Sequence, residues 1–444
     1  MKNANIVNVI GAIVFAGLLG ANLFNLTGEN LESKIALQVL AGLVFVLLSK
    51  LKVKKLQDRF KNIFCLYGLF FWLYSIIGSI VFVLDDKVPR FYFFKINDAS
   101  MTETLSLYIS AFCIYGIICF ATNSIKAIKI DEKVKTALGN NNLSSKSFAI
   151  FTAIAVIITM RNVLKIVTTP NFLDLSVAGK RAIINDDLSH YANLFMVALS
   201  LFAAHSVFIT KKHVPKILII IAALYWLTVL TCERRMFVMF FIGLAIMLAS
   251  KIQKLKPRYI IAGLLAVLGL LGVGALRDNI TTRNHDIRDV IYSSTTEFYC
   301  TFMISNSYVV KNPELRYGQT YTYDSITKMI PKAIYPSKPD DLSVQYKRQY
   351  KTNVGFAYNP IAEAILNFGT GLAPLVTAMI MFAICVIAVR LGRRNALYYI
   401  LFVILSIDFC RGAFSNLFFD TVFGCLLIMF MIKISKKEKA KDDA

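Results

Sequence analysis

About a dozen times between Ile6 and Ile432 the chain returns to an apolar run of the order a helix needs to cross a bilayer, and that recurrence constrains the fold more than any motif. In hydrocarbon every backbone N–H and C=O has to be satisfied internally, and helices alone do this without closing a barrel. The runs are Ile6 to Leu26, Ile35 to Ser49, Ile63 to Leu84, Leu105 to Thr122, Phe148 to Val167, Tyr191 to Ile209 and Ile217 to Leu230. Met236 to Ala249, Ile260 to Leu276, Leu372 to Val389, Ala396 to Ile407 and Leu417 to Ile432 follow. With 57% hydrophobic and 17% charged residues, the composition agrees: an all-α, polytopic integral membrane protein. The first run is long for a signal segment and no clear small-residue cleavage site follows it, so it reads as the first span.

A net charge of +22 would suit nucleic acid only if it gathered on one exposed face. Here it is scattered among short connections, and no nucleic-acid partner is expected. Lys50 to Lys61, Lys126 to Lys135, Lys211 to Lys216, Lys251 to Arg258, Arg390 to Arg394 and the tail from Lys433 bracket the even-numbered connections. By the positive-inside rule these face the cytoplasm, as do both termini. The expected organisation is nine spans over 1–276, one long outer loop over 277–371, three spans over 372–434 and a charged tail over 435–444. Asp289 to Val310, inside the loop, has apolar residues at amphipathic-helix spacing.

The segment "VLTCERRMFV" lies between Lys216 and Lys251, both at the inner face. At about 1.5 Å per residue a single helix joining them would far exceed one crossing. It has to double back, which places Glu233, Arg234 and Arg235 at a hairpin tip near the outer headgroups. Cys65, Cys113, Cys119, Cys385 and Cys425 sit in apolar runs without metal or redox spacing and read as packing residues. The four histidines form no metal spacing either.

Two stretches of the long loop carry a resemblance. One is "GQTYTYDSITKMIPKAIYPSKPD", with Pro331, Lys332, Tyr335, Pro336, Lys338 and Pro339. The other is "GFAYNPIAEAILNFGTGLAP", with Glu363, Asn367, Phe368, Gly369 and Gly371. With the many spans and the long loop before the last few, they make the chain resemble the bacterial O-antigen polymerase family, the Wzy-type oligosaccharide repeat-unit polymerases. The chain departs from the family at Cys232 and Glu233, where members often carry a small residue and Ser, and at Lys332, where they often carry Arg.

The resemblance implies a GT-C-like membrane glycosyltransferase in the cytoplasmic (inner) membrane. Its substrates would be undecaprenyl-pyrophosphate-linked oligosaccharides, joined at the outer face, with a polysaccharide chain-length regulator as a further partner. No cofactor and no metal are expected, because a lipid-linked donor already carries its leaving group.

That chemistry asks for a base, for cations on the departing pyrophosphate and for a cleft open to lipid. Glu363 is the candidate base, and Asn367 and Thr370 share its helix face. A cap on the loop's return into the membrane is an equally open reading of Glu363 and Asn367. Asp286, Asp289, Glu297 and Asp324 are weaker substitutes for the base. Arg234 and Arg235 are candidates for the pyrophosphate, since guanidinium groups bind phosphate oxygens in pairs and a charge left central in the membrane costs about 2.5–3.5 kcal/mol. Snorkelling to headgroups is the alternative.

Arg161, Arg277 and Arg411 could join the anion site, and Arg181, in an outer loop that family members use for glycan, could bind sugar. Tyr321 and Tyr335 offer flat faces and hydroxyls to sugars, and Lys338 of the matched segment joins the substrate-binding set. Two other functions fit the topology: a flippase for the same lipid-linked glycans and a ligase moving finished polysaccharide to another acceptor. A transporter would place ionisable groups near the midplane on broken helices, whereas here the charges gather at the outer boundary.

Overall fold

The computed structural model describes residues 2–126 apart from 27, 56, 57, 60, 61 and 85–96, a few positions between 150 and 183, and residues 287–351 and 358–442. Among the described residues the regular elements are helices. In chain order they are α1 (Lys2–Leu23), α2 (Leu31–Lys52), α3 (Ile63–Leu84), α4 (Asp98–Ala121), α5 (Ile287–Lys311) and α6 (Tyr323–Lys328). Then come α7 (Leu342–Tyr350), α8 (Pro360–Gly392), α9 (Ala396–Ile404), α10 (Ser406–Arg411) and α11 (Phe414–Asp442). Six of these, α1 to α4, α8 and α11, are long and apolar enough to cross a membrane. The sixth to ninth apolar runs lie outside the described residues, as does most of the fifth.

Two boundaries differ from the sequence expectation. The tenth span was expected to begin at Leu372, but α8 begins at Pro360 and carries Glu363 and Asn367 within it. The run from Ala396 to Ile407 was expected as one span, and α9 and α10 divide it at Leu405.

The chain forms two compact units, one of Met1–Ile128, Thr295–Val389 and Leu405–Phe419, the other of Lys129–Ser294, Arg390–Ile404 and Asp420–Ala444. In the second, Leu401 packs at Gly424 and Tyr399 at Gly392. The first holds α1 to α4 around an aromatic core. Phe15 stacks on Phe120 at 5.8 Å and meets Phe112 edge-on at 6.0 Å, and Phe45 lies 5.3 Å from Phe112. Lipid tails are as apolar as these rings, so close packing and polar ties hold such helices together.

One close approach is at Gly42 of α2, where an added Cβ would come within 2.2 Å of the Trp72 indole. Trp72 Nε1 donates to the Gln38 carbonyl at 2.8 Å, which fixes the ring over that glycine. Gly42→Val should therefore lower stability by about 1–3 kcal/mol through overpacking. A thermal melt in detergent checks it, and an unchanged midpoint would refute the tight α2–α3 contact.

Polar ties do the rest. Lys34 is 1% exposed at the start of α2, and its ammonium donates to the Asn22 carbonyl (2.8 Å), Asn22 Oδ1 (3.0 Å) and Asn25 Oδ1 (2.8 Å) at the end of α1. A cation there satisfies a terminal helix carbonyl and complements the helix dipole. Asn22 Nδ2 in turn reaches the Ser106 carbonyl and Ser110 Oγ of α4, both at 2.9 Å. Asn30 and Asn97 cap α2 and α4 by accepting from the backbone N–H groups of Ser33 and Ser100.

The same kind of tie places α8. Asn306 of α5 donates to Ser100 Oγ and Thr104 Oγ1 of α4, both at 3.1 Å, while Tyr108 and Phe302 stack at 5.1 Å. Asn359, just before α8, donates to the Thr301 carbonyl (2.5 Å) and accepts from Ser305 Oγ (2.9 Å) and from the Ala362 N–H (2.9 Å). One buried side chain thus caps α8 and fastens it to α5, with Pro360 in the first turn, where its missing N–H costs nothing. Beyond the first turns, Leu372, Leu375 and Met379 form an exposed apolar stripe at helical spacing, as expected of a lipid-facing surface.

Candidate functional site

Gly369 breaks α8 with φ 76° and ψ 172°, a conformation essentially reserved for glycine. A break inside a membrane helix strands carbonyl oxygens, and the long loop supplies their donors. The backbone N–H groups of Arg316 and Tyr317 donate to the carbonyls of Leu366 and Asn367, each at 3.0 Å. The first part of α8 is thereby stapled to the loop that precedes it.

Side chains complete the staple. Asn367 is fully buried: its Oδ1 accepts from the Gly318 N–H at 3.0 Å, and its Nδ2 donates to Thr320 Oγ1 at 2.7 Å and to the Glu363 carbonyl at 2.8 Å. Thr320 Oγ1 in turn donates to Glu363 Oε1 in a 2.6 Å hydrogen bond. Glu363 Oε2 accepts from the Phe414 N–H, also at 2.6 Å. A 1% exposed carboxylate on α8 therefore joins the loop to the first N–H of α11, where the positive end of the helix dipole favours it. Glu363 lines a small cavity of about 10 Å³, with Tyr321, Pro360, Phe409, Gly412 and Phe414 among its walls. That is about the space one water needs.

Tyr321 stacks on Phe368 at 6.1 Å and meets Phe414 edge-on at 5.3 Å. Its hydroxyl is buried and, among the described residues, unpartnered. Burial first, and then the Glu363 charge, push its pKa well above the usual phenol value. Asp324, on α6, is also buried, with Oδ2 unpartnered and Oδ1 3.5 Å from Gln319 Nε2. Burial pushes its carboxyl up, and the Arg316 charge and the Gln319 contact pull it back.

Four tyrosines, Tyr308, Tyr346, Tyr350 and Tyr358, pack against one another. Tyr346 of α7 donates to Ser307 Oγ at 2.7 Å and packs against Tyr308 and Tyr350, and the Tyr308 and Tyr358 hydroxyls hydrogen-bond to each other. Asp340 pairs with Lys332 at 2.9 Å and with Arg348, and the Lys332 hydrogen bond does most to hold its carboxyl below the usual range.

Of the residues singled out from sequence, Glu363, Asn367 and Tyr321 come together here. Thr370 shared a helix face with Glu363 on paper, but the break at Gly369 puts it beyond the first helical segment. Tyr335 bonds Tyr323 hydroxyl to hydroxyl at 2.6 Å, and Lys338 donates to the Ile330 carbonyl at 2.8 Å, so both brace the loop's own fold. Arg411 ends α10. Arg161, Arg181, Arg234, Arg235 and Arg277 lie outside the described residues.

Sequence reasoning missed Thr320, Arg316 and the Phe414 N–H. No local pattern marks them, because Thr320 and Phe414 reach Glu363 from 43 and 51 residues away. Among the described residues no group of three or more His, Cys, Asp or Glu could hold a metal, and Cys65, Cys113, Cys119, Cys300, Cys385, Cys410 and Cys425 are free thiols.

No curated protein and no solved structure matches the chain. A family model does, that of the O-antigen polysaccharide polymerase Wzy, over residues 6–439. The match spans the membrane helices, the long loop and the Glu363 cluster alike, and the chain belongs to the O-antigen polysaccharide polymerase Wzy family.

Proposed function

We propose that the chain polymerises oligosaccharide repeat units carried on undecaprenyl pyrophosphate, at the outer face of the cytoplasmic membrane, into a cell-surface polysaccharide. The family match over residues 6–439 is the observation that carries this reading, and it takes in both loop and spans. About twelve spans with both termini inside, a GT-C-like arrangement and a chain-length-regulating partner belong to the same proposal.

In the reaction a hydroxyl of the incoming unit attacks the anomeric carbon of the growing glycan. The new carbon–oxygen bond forms as the bond to the diphosphate breaks, the leaving diphosphate keeps the electron pair, and the hydroxyl proton passes to a base. Glu363 is the base in this proposal. Its Oε1 already accepts from a hydroxyl, that of Thr320, at 2.6 Å, which is the geometry an acceptor sugar would adopt. Tyr321 walls the cavity beside it and Asn367 positions Thr320 against it, while Tyr335 and Lys338 hold the loop that would face the glycan. Arg234 and Arg235, with Arg161, Arg277 and Arg411 as further cations, neutralise the leaving group, and Arg181 binds glycan.

The test is reconstitution of the full chain in nanodiscs with lipid-linked repeat units and a gel or mass-spectrometric reading of products. A ladder of several repeats is the expected result. Transfer of the lipid between leaflets without lengthening would put the flippase in its place, and a single transfer to a foreign acceptor would put the ligase there.

A further inference from the structure

We propose that Arg316, a residue no motif marks, binds an oxyanion of the diphosphate on the lipid-linked substrate. The proposal rests on the polymerase reading and adds a residue to its site. Four observations point to it.

Arg316 is fixed in place. Its backbone N–H donates to the Leu366 carbonyl, in the same helical segment as Glu363, and its Nη1 donates to Gln345 Oε1 at 2.7 Å. Gln345 is itself held, donating from Nε2 to the Asp340 carbonyl at 2.5 Å. A guanidinium aimed from two anchored points loses little freedom when a ligand arrives.

Arg316 has donors to spare. A guanidinium has five N–H groups in a planar fork, and among the described residues its side chain has the one neutral partner, Gln345. Three other cations of the loop do contact carboxylates: Lys328 contacts Asp341, and Lys332 and Arg348 share Asp340. Among the described residues no carboxylate stands within ion-pair distance of Arg316. Half-buried and with no carboxylate in contact, the group has room for an anion, and the paired oxygens of a phosphate match its fork.

The nearby carboxylates do not fill that role. Glu363 spends its two oxygens on Thr320 and Phe414. Asp324 has Oδ1 3.5 Å from Gln319 Nε2 and makes no ion pair with Arg316, whose charge pulls its carboxyl down against the upward push of burial. Finally, Arg316 lies beside the candidate base, because its backbone is tied to Leu366, one helical turn on from Glu363, and its charge also acts on Asp324.

The test compares wild type, Arg316→Ala and Arg316→Lys, each as the full chain in nanodiscs. It measures kcat/KM for repeat-unit joining, inhibition by inorganic pyrophosphate and the thermal midpoint. Loss of one preorganised donor predicts that Arg316→Ala loses about a hundredfold or more in kcat/KM, with only a small fall in midpoint from the lost Gln345 hydrogen bond. Pyrophosphate inhibition should weaken with it, and millimolar guanidinium should restore part of the rate. Lys keeps the charge without the fork and should fall between.

Wild-type kcat/KM and wild-type pyrophosphate inhibition in the Ala variant would overturn the assignment. If Ala does not fold, Lys decides: weakened pyrophosphate inhibition supports the site, and unchanged inhibition removes it. Repeating the comparison in nanodiscs of phosphatidylcholine alone separates substrate from bilayer phosphate. A defect that disappears without anionic lipid would give Arg316 to headgroups and overturn the proposal. Should wild type join no units, the polymerase reading fails by itself, and calorimetry with pyrophosphate still decides Arg316: an affinity that falls in the Lys variant and is lost in the Ala variant supports the site, and equal affinity in all three overturns it.

Discussion

Glu363→Gln is expected to lower the rate of repeat-unit joining by about a hundredfold to ten-thousandfold while leaving the protein folded, the span that loss of a positioned general base covers. The substitution separates chemistry from architecture because an amide can replace most of what the carboxylate holds. Its oxygen can still accept from the Phe414 N–H, and its NH₂ can donate to Thr320 Oγ1, whose proton is then free to turn elsewhere. Packing at this buried position is unchanged in volume. What Gln cannot do is take a proton.

Thr320→Val is the counterpart. It removes a hydrogen bond to Glu363 and one from Asn367 while leaving the carboxylate, at a cost to stability of about 1–3 kcal/mol for buried groups left short of partners. If Glu363 is the base, the Gln variant loses its product ladder at a near-normal melting temperature, and the Val variant melts early but keeps making the ladder. A Gln variant with a full ladder would reduce Glu363 to an anchor between α8 and α11.

The membrane character of the chain was legible because the bilayer sets a length scale that apolar runs have to meet, and the runs that became α1 to α4 and α11 met it. The start of α8 was not. Pro360, Glu363, Asn367 and Gly369 read as a polar return from the loop, since nothing local shows that Asn359 caps a helix there or that Thr320 and the loop amides satisfy its polar groups. Polar residues in a span are affordable only when partners are in place, and these partners come from the preceding loop.

The site was legible in the same uneven way. Glu363 and Asn367 stood out through a resemblance of motif, and their spacing put them on one helix face. Arg316 sits in "ELRYGQT" with no spacing to recommend it. Its distinction is an energetic one, a half-buried guanidinium on a neutral partner with no carboxylate in contact among the described residues, and only side chains seen together can reveal that.

Gly369→Ala should be the most damaging of the small substitutions along α8. At φ 76° and ψ 172° the backbone lies where residues with a Cβ are strained by about 1–3 kcal/mol. Space is not the difficulty, because the nearest atom to an added Cβ, Leu315 Cδ2, is 3.8 Å away. The strain is the backbone's own.

The chain can relieve that strain only by moving Gly369 toward helical angles, and a straightened α8 would claim the Leu366 and Asn367 carbonyls for its own amides. Arg316 and Tyr317 would then lose their acceptors, and the loop that brings Thr320 to Glu363 would come away from the helix. Loss of stability and loss of joining activity should therefore appear together in Gly369→Ala. Gly371→Ala is the control: it has no positive φ and nothing within 4 Å of its added Cβ, and both readouts should stay near wild type. Thermal melts and product ladders of the two variants side by side settle the matter. A Gly369→Ala protein as stable and active as its Gly371→Ala neighbour would mean that the break in α8 is not what holds the loop against Glu363.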